Sequence, residues 1–481
     1  MYSFTLSLLA LILGYFVYGA FVEKVFGPDP ARKTPALTKA DGVDYIVMPS
    51  WKVFMIQFLN IAGTGPIFGA IMGAKFGPSS YLWIVFGCIF AGAVHDYMSG
   101  MLSVRNGGAG LPELIGKYLG MTTKKVMLVF SILLLLLVGT VFVYSPALIL
   151  GDIAGDGSST AIMIWVGIIF IYYIIATLLP VDKIIGKIYP LFAFALLFMA
   201  AALMICLFVK WPSIPEIWDG LGNRTSPATP IFPCLFITIA CGAISGFHGT
   251  QSPMMARCME NEKLGRPIFY GSMITEGIVA LVWAAVSSYF FFDGGAAAVG
   301  SDLSAAAPTV VTKVAGNWLG VFGGILAILG VVAAPITSGD TAFRSSRLII
   351  ADFLKYDQRP MKNRLMIAVP LFLIAVGLLW FNVANEDGFN IIWRYFGWAN
   401  QTLAVFTLWA VTAYLVGAKK GLWYLITLLP ACFMTSVCTT YICIAKIGFN
   451  LPPTWNFWIG GSVFILSLVL FFILKRRIKT I

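Results

Sequence analysis

The stretch VMLVFSILLLLLVGTVFVYSPALIL, residues 126–150, carries no charged side chain. A helix that crosses about 30 Å of hydrocarbon needs roughly 20 such residues. NFWIGGSVFILSLVLFFIL, residues 456–474, reads the same way. Working outward from these two, apolar runs divided by polar breaks predict thirteen spans. They lie near 2–22, 51–73, 80–99, 126–150, 161–180, 189–209, 231–250, 268–291, 318–340, 365–382, 398–417, 421–445 and 456–474. The whole chain is 59% hydrophobic and 11% charged, where a water-soluble domain carries about a quarter charged residues to dress its surface. The expected fold class is therefore an all-α polytopic membrane protein, with residues 1–481 forming one transmembrane domain.

Charge distribution tests that count. Lys and Arg accumulate on the cytoplasmic side of short loops. With the N-terminus periplasmic and the C-terminus cytoplasmic, 25 of the 32 basic residues fall on the cytoplasmic side and six on the other. The opposite loops carry Asp152, Asp156, Asp293, Asp302, Glu386 and Asp387. The net charge of +11 is then an orientation signal with room for lipid contact, and nucleic acid is not an expected partner. The eight cysteines are scattered through apolar runs without a CxxC pair, so neither a disulfide framework nor a zinc site is indicated.

Three spans contain segments that a continuous helix disfavours. QFLNIAGTGPIFGAIMGAKFG holds Gly63, Gly65, Pro66, Gly69 and Gly73; CGAISGFHGTQSPMMARC holds Gly242, Gly246, Gly249 and Pro253. LGVVAAPITSGDTAFRSSR sets Pro335 and Gly339 beside Thr337, Ser338, Asp340 and Thr341. Proline lacks the backbone donor and glycine leaves the chain loose. In lipid the freed amides and carbonyls need protein, water or a ligand, and secondary transporters place such breaks at their binding sites. Close packing of small residues is the structural alternative. The first two breaks are five spans apart, an odd offset that inverts orientation. A five-plus-five inverted repeat over 51–209 and 231–417 follows, with additional helices at 421–481.

Ionisable groups at membrane depth are functional candidates by default. His95 and His248 are the chain's two histidines, and both fall in or beside apolar spans. His95 and Asp96 are neighbours that point in different directions on a helix and need not bond each other. Asp340 could belong to a hydroxyl-lined cation site with Thr337, Ser338 and Thr341, or pair with Arg344 one turn on. Glu276 could pair with Arg257 or relay a proton. RNGGAGLPELIGKYLG, 105–120, reads as a turn followed by a short amphipathic helix. No Walker lysine motif or HExxH is present, and GFHGTQS lacks the GxSxG elbow of a serine hydrolase. An enzyme is not expected, and a channel or nutrient sensor is the alternative to a carrier.

Four strings carry a resemblance: NIAGTGPIFGAIMGAKFGP (60–78), VHDYMSGMLSVRNGGAGLPELIGKYLG (94–120), CGAISGFHGTQSPMMARC (241–258) and ITSGDTAFRSSR (336–347). They resemble the carbon starvation protein A family of bacterial inner-membrane transporters over almost the whole chain. The resemblance implies import of peptides or pyruvate during carbon starvation, coupled to protons or sodium. It also implies a LeuT/APC-like fold in which the second and seventh spans are the discontinuous helices. Thr337, Ser338 and Thr341 would then form the hydroxyl part of a sodium site, the sole metal site expected. No cofactor is implied beyond a coupling ion, H+ or Na+. The substrate site expected between the breaks comprises Gly63, Thr64, Gly65, Gly246, His248, Gln251 and Ser252. Ion or proton coupling is expected of His95, Asp96, His248, Thr337, Ser338, Asp340 and Thr341, with a small carboxylated solute and membrane lipids as partners.

Overall fold

The computed structural model describes all residues except 154, 156, 180, 224, 226–228, 293–306, 386–387 and 479–481. The loop residues Asp156, Asp293, Asp302, Glu386 and Asp387 named above lie outside the described residues. The chain is helical nearly throughout. We number α1 Tyr2–Phe16, α2 Tyr18–Phe26, α3 Ser50–Ile61, α4 Ala70–Ala74, α5 Ser79–Gly87 and α6 Ala93–Arg105. Next come α7 Leu111–Leu119, α8 Met121–Ile153, α9 Ser159–Leu178, α10 Val181–Lys210, α11 Ile231–Thr238 and α12 Gly246–Ala256. The remainder are α13 Gly271–Phe292, α14 Ala307–Leu354, α15 Met361–Ala384, α16 Gly388–Gly417, α17 Leu425–Ile444 and α18 Asn456–Leu474.

Among the described residues, ten helices are long and apolar enough to cross a membrane. The count is eleven if the pair Ser50–Ile61 and Gly65–Ala74, bent by 53°, is one span. The seventh expected span is divided into α11 and α12, of 8 and 11 residues, each too short to cross alone. The ninth falls inside the 48-residue α14, which is interrupted where Gly320 takes φ 65°.

Two of the three expected breaks are where the backbone leaves the helix; the third, around Pro335 and Gly339, remains helical inside α14, whose one interruption is at Gly320. Ala62 N–H still reaches Phe58 O at 2.9 Å, but Gly63 N–H turns to Ile61 O at 3.0 Å. Leu59 O therefore loses its usual partner four residues on and accepts the Ser338 hydroxyl at 2.9 Å instead. A π turn, Gly65–Gly69, with Pro66 in its first positions, leads into α4. In the other break, residues 239–245 run between α11 and α12 without helix. α12 packs against α3, α6 and α16, while α14 packs against α8 and α10. The segment at 105–120 forms the expected turn and short helix, with α7 burying Leu111, Leu114 and Ile115.

Two glycines allow the close approaches at the breaks. A Cβ on Gly65 would lie 2.3 Å from Cys241 Sγ, and one on Gly246 would lie 2.3 Å from Asn400 O. Overpacking of this kind costs about 1–3 kcal/mol. We expect Gly246→Ala, which meets backbone, to lower the thermal midpoint in detergent more than Gly65→Ala, which meets a side chain. Midpoints equal to the wild type would show that the segments are not this close.

Candidate functional site

Four fully buried ionisable side chains meet between α6, α12 and α13. Asp96 Oδ1 is 2.7 Å from His95 Nδ1, and Asp96 Oδ2 is 2.8 Å from His248 Nδ1. On the other edge of its ring, His248 Nε2 lies 3.4 Å from Glu276 Oε2. All four are 0% exposed. The neighbours His95 and Asp96 thus do bond, which their directions on the helix left open. The short Asp96 carboxylate sits between the two imidazoles and faces both. Glu276, read from the sequence as a partner for Arg257 or a relay, faces His248. Arg257 instead donates from Nε to Gly108 O at 2.9 Å and from Nη2 to Asp352 at 3.2 Å. Its guanidinium also lies 5.0 Å from the Tyr45 ring. Burial pushes the Tyr45 phenol up, and the Arg257 guanidinium pulls it down.

Removing a buried ion from water costs several kcal/mol unless partners repay it. The Asp96 carboxylate has both imidazoles. His248 Nε2 and both Glu276 oxygens, by contrast, have no hydrogen-bond partner among the described residues. With Nδ1–H given to Asp96, Nε2 presents a lone pair to a carboxylate. Acceptor faces acceptor in that tautomer, and a proton on Nε2 or on Glu276, or another cation between them, relieves it.

The substrate-site residues expected from sequence line the two breaks. Thr64 is buried, its carbonyl accepts from Ile67 and Phe68, and its hydroxyl has no partner among the described residues. Gly63 and Gly65 flank it, and Gly65 faces Cys241. Gly246 begins α12. Gln251 Nε2 donates to Thr250 Oγ1 at 2.9 Å, and its Oε1 accepts from Ser345 at 3.4 Å. Ser252 Oγ donates to His248 O at 3.0 Å and accepts from Gln57 Nε2 at 3.3 Å. The hydroxyl is turned to the His248 carbonyl, not to its ring, so no nucleophile–base pair forms. These residues are fully buried, which leaves the breaks closed to solvent in this conformation.

The hydroxyl group of residues on α14 lies apart from the histidines. Ser338 alone of the three expected sodium ligands bonds across to the first break. Thr337 donates to Ala333 O and Ala334 O, and Thr341 to Thr337 O and Ser338 O. Asp340 accepts from Tyr172 OH at 2.8 Å. The alternative pair with Arg344 does not form among the described residues, since Arg344 donates to Ala176 O.

Sequence reasoning missed Asn400 on α16. Its Oδ1 accepts from Phe247 N at 2.7 Å and from Ser245 Oγ at 3.0 Å. It thereby satisfies one of the four amides that any helix start leaves without partners. The pair Asn400–Gln401, buried in the otherwise apolar span Ile391–Gly417, was the available signal. Gln401 donates to Phe236 O at 3.0 Å, so both residues of the pair serve the broken seventh span.

With this geometry in place, comparison with known proteins adds the family. The family described as carbon starvation protein CstA matches residues 1–164, 153–317 and 294–441. The chain belongs to that family. It is a multipass protein of the bacterial inner membrane. It is 28% identical over 555 residues to a peptide transporter CstA of Campylobacter jejuni, covering 91% of this chain and 78% of that one. It is 29% identical over 340 residues to a pyruvate/proton symporter BtsT of Escherichia coli, covering 57% of this chain and 47% of that one. A crystal structure of a manganese transporter of Eremococcus coleocola shares the fold with a TM-score of 0.60 at 12% identity, over 92% of this chain and 99% of that one.

The buried chain should behave as one unit. Asp96→Asn and His248→Gln, made singly and together, are expected to couple by about 1–3 kcal/mol in thermal or denaturant unfolding. Additive effects would mean that the two side chains do not share a bond.

Proposed function

We propose that the protein is a secondary transporter that imports a small carboxylated nutrient, a peptide or pyruvate, across the inner membrane during carbon starvation. One observation carries this reading: two broken helices meet at Gly65 and Cys241, directly beside a buried chain of ionisable groups that demands a cation. A channel has no need of paired breaks closed to solvent, and the Ser252 hydroxyl is turned to the His248 carbonyl rather than aligned with its ring for hydrolysis. The family membership and the names of the two relatives support the same class of cargo. The carboxylate of the solute would be held by the free amides at the start of α12, with Gln251 and Thr64 as further hydrogen-bonding groups.

Coupling is assigned to the cation position formed by His95, Asp96, His248 and Glu276 if the driving ion is a proton. The sodium alternative is the Ser338–Leu59 contact, with Thr337, Asp340 and Thr341 nearby. The five-plus-five inverted repeat over 51–209 and 231–417 belongs to the proposal. So do thirteen spans, a periplasmic N-terminus and a cytoplasmic C-terminus. The odd offset of the breaks and the asymmetry of the basic loops support them.

Proteoliposomes holding the purified protein test this directly. A proton or sodium gradient should drive accumulation of pyruvate or a short peptide above its external concentration. His248→Gln should lose proton-driven accumulation while purifying as folded protein, and Thr337→Ala with Ser338→Ala should lose a sodium-driven one. Flux that only equilibrates under every gradient would defeat the symport reading. Green fluorescent protein fused at the C-terminus should fluoresce, and alkaline phosphatase at the same place should be inactive; the reverse pattern overturns the orientation.

A further inference from the structure

The Nε2 edge of His248 faces a thiol as well as Glu276. Cys241 lies in the non-helical stretch 239–245 of the broken seventh span and is 2% exposed. Cys241, His248 and Glu276 each offer one metal-ligating atom, and these atoms all lie within 4.8 Å of one another. They come from three places: the unwound segment, α12 and α13. The Cys241 sulfur also receives an amide hydrogen from Asn400 Nδ2 at 3.7 Å.

We propose that Cys241, His248 and Glu276 form a three-ligand site for a thiophilic divalent transition metal of the zinc class. Four observations converge on it. First, His248 Nε2, Glu276 Oε1 and Glu276 Oε2 are buried and lack hydrogen-bond partners among the described residues. Second, the 3.4 Å between Nε2 and Oε2 exceeds the usual hydrogen-bond range of about 2.7–3.2 Å. It matches the edge of a tetrahedron, about 3.4 Å, whose centre lies about 2.0–2.1 Å from nitrogen and oxygen ligands. Third, Asp96 holds His248 by Nδ1 at 2.8 Å, and so aims the Nε2 lone pair inward. A carboxylate behind a ligating histidine is the usual outer support of such sites. His95 secures that carboxylate from its other oxygen. Fourth, a thiolate with an imidazole favours zinc, cobalt or copper over sodium, magnesium or calcium.

Three protein ligands leave one tetrahedral position open. Gly65 borders Cys241 at the first break, so an incoming oxygen ligand would come from the space between the breaks. Binding is balanced simply: the Cys241 S–H proton goes to solvent buffer as the sulfur–metal bond forms, and Glu276 enters as carboxylate. The metal then occupies the gap that the transport reading gives to a proton. The two cations compete for one place, and the metal site stands on its own geometry whether or not that reading holds.

Cobalt(II) is the probe, added to the full-length protein in detergent at neutral pH with thiols reduced. One equivalent should produce the near-ultraviolet sulfur-to-cobalt charge-transfer band and the visible bands of a tetrahedral thiolate site. Equimolar zinc should remove them. Cys241→Ser should abolish the charge-transfer band, and Glu276→Gln and His248→Gln should each weaken cobalt binding at least tenfold. Cys258→Ser, remote from the site, should leave the spectrum unchanged. Because Cys241→Ser could unfold, its thermal midpoint and elution profile are measured beside the wild type. The wild-type spectrum alone decides if that variant fails. Absence of the band from folded wild type, or its persistence in folded Cys241→Ser, overturns the proposal. The spectrum does not require transport, so a failed uptake assay leaves this result intact, and a missing spectrum leaves the uptake result intact.

Discussion

Asp96 is fully buried, and its Oδ2 ties α6 to α12 through His248. Each oxygen faces an imidazole nitrogen, at 2.7 and 2.8 Å. Breaking a buried charged pair by removing one partner costs about 3–5 kcal/mol, a large part of the margin by which any domain is stable. The fold therefore has to bring His95 and His248 to the same carboxylate, and that fixes where α12 starts. The start of α12 in turn fixes the non-helical stretch 239–245 and the position of Cys241 beside Gly65. From one carboxylate, the two breaks, their glycines and the orphaned edge of His248 follow in sequence.

The architecture was readable because lipid imposes a strict rule: a span is long, apolar and internally hydrogen-bonded. The runs 126–150 and 456–474 could be little else. The breaks were readable for the same reason, since Gly63–Gly65–Pro66 and Gly242–Gly246 violate that rule inside apolar sequence. Partners were harder to read. Asn400 and Glu276 lie in other helices, far along the chain from the segments they serve. A sequence shows that they are polar and buried, but not where their helices pack. The His95–Asp96 bond was left open, because direction on a helix says nothing of side-chain reach.

Cysteine spacing is silent about a site of the kind proposed above, for a physical reason. Local motifs such as CxxC reveal sites whose ligands share one turn. Cys241, His248 and Glu276 come from three segments, and only their packing makes them a donor set. Their shared trait in the sequence is milder: each is a reactive group placed in or beside a span where an apolar residue would cost nothing.

The polar ties around the breaks differ in strength, and that difference bears on which element can move. The first broken helix is tied to α12 by Gln57–Ser252 at 3.3 Å and to α14 by Ser338–Leu59 O at 2.9 Å. Both are neutral contacts, worth about 0.5–1.5 kcal/mol each, and a hydrogen bond to a charged group is worth about 1.5–3. α12 is tied to α6 by one such charged contact, His248 Nδ1 to Asp96 Oδ2 at 2.8 Å. The polar contacts thus bind α12 and α6 into one body and leave α3 and α4 more weakly attached. Alternating exposure of the space between the breaks is cheaper, in these terms, if the segment Ser50–Ala74 shifts against α12. Shifting α12 instead would strip Asp96 of a partner in the same step. The buried charge that makes the site reactive also selects the half of it that stays still.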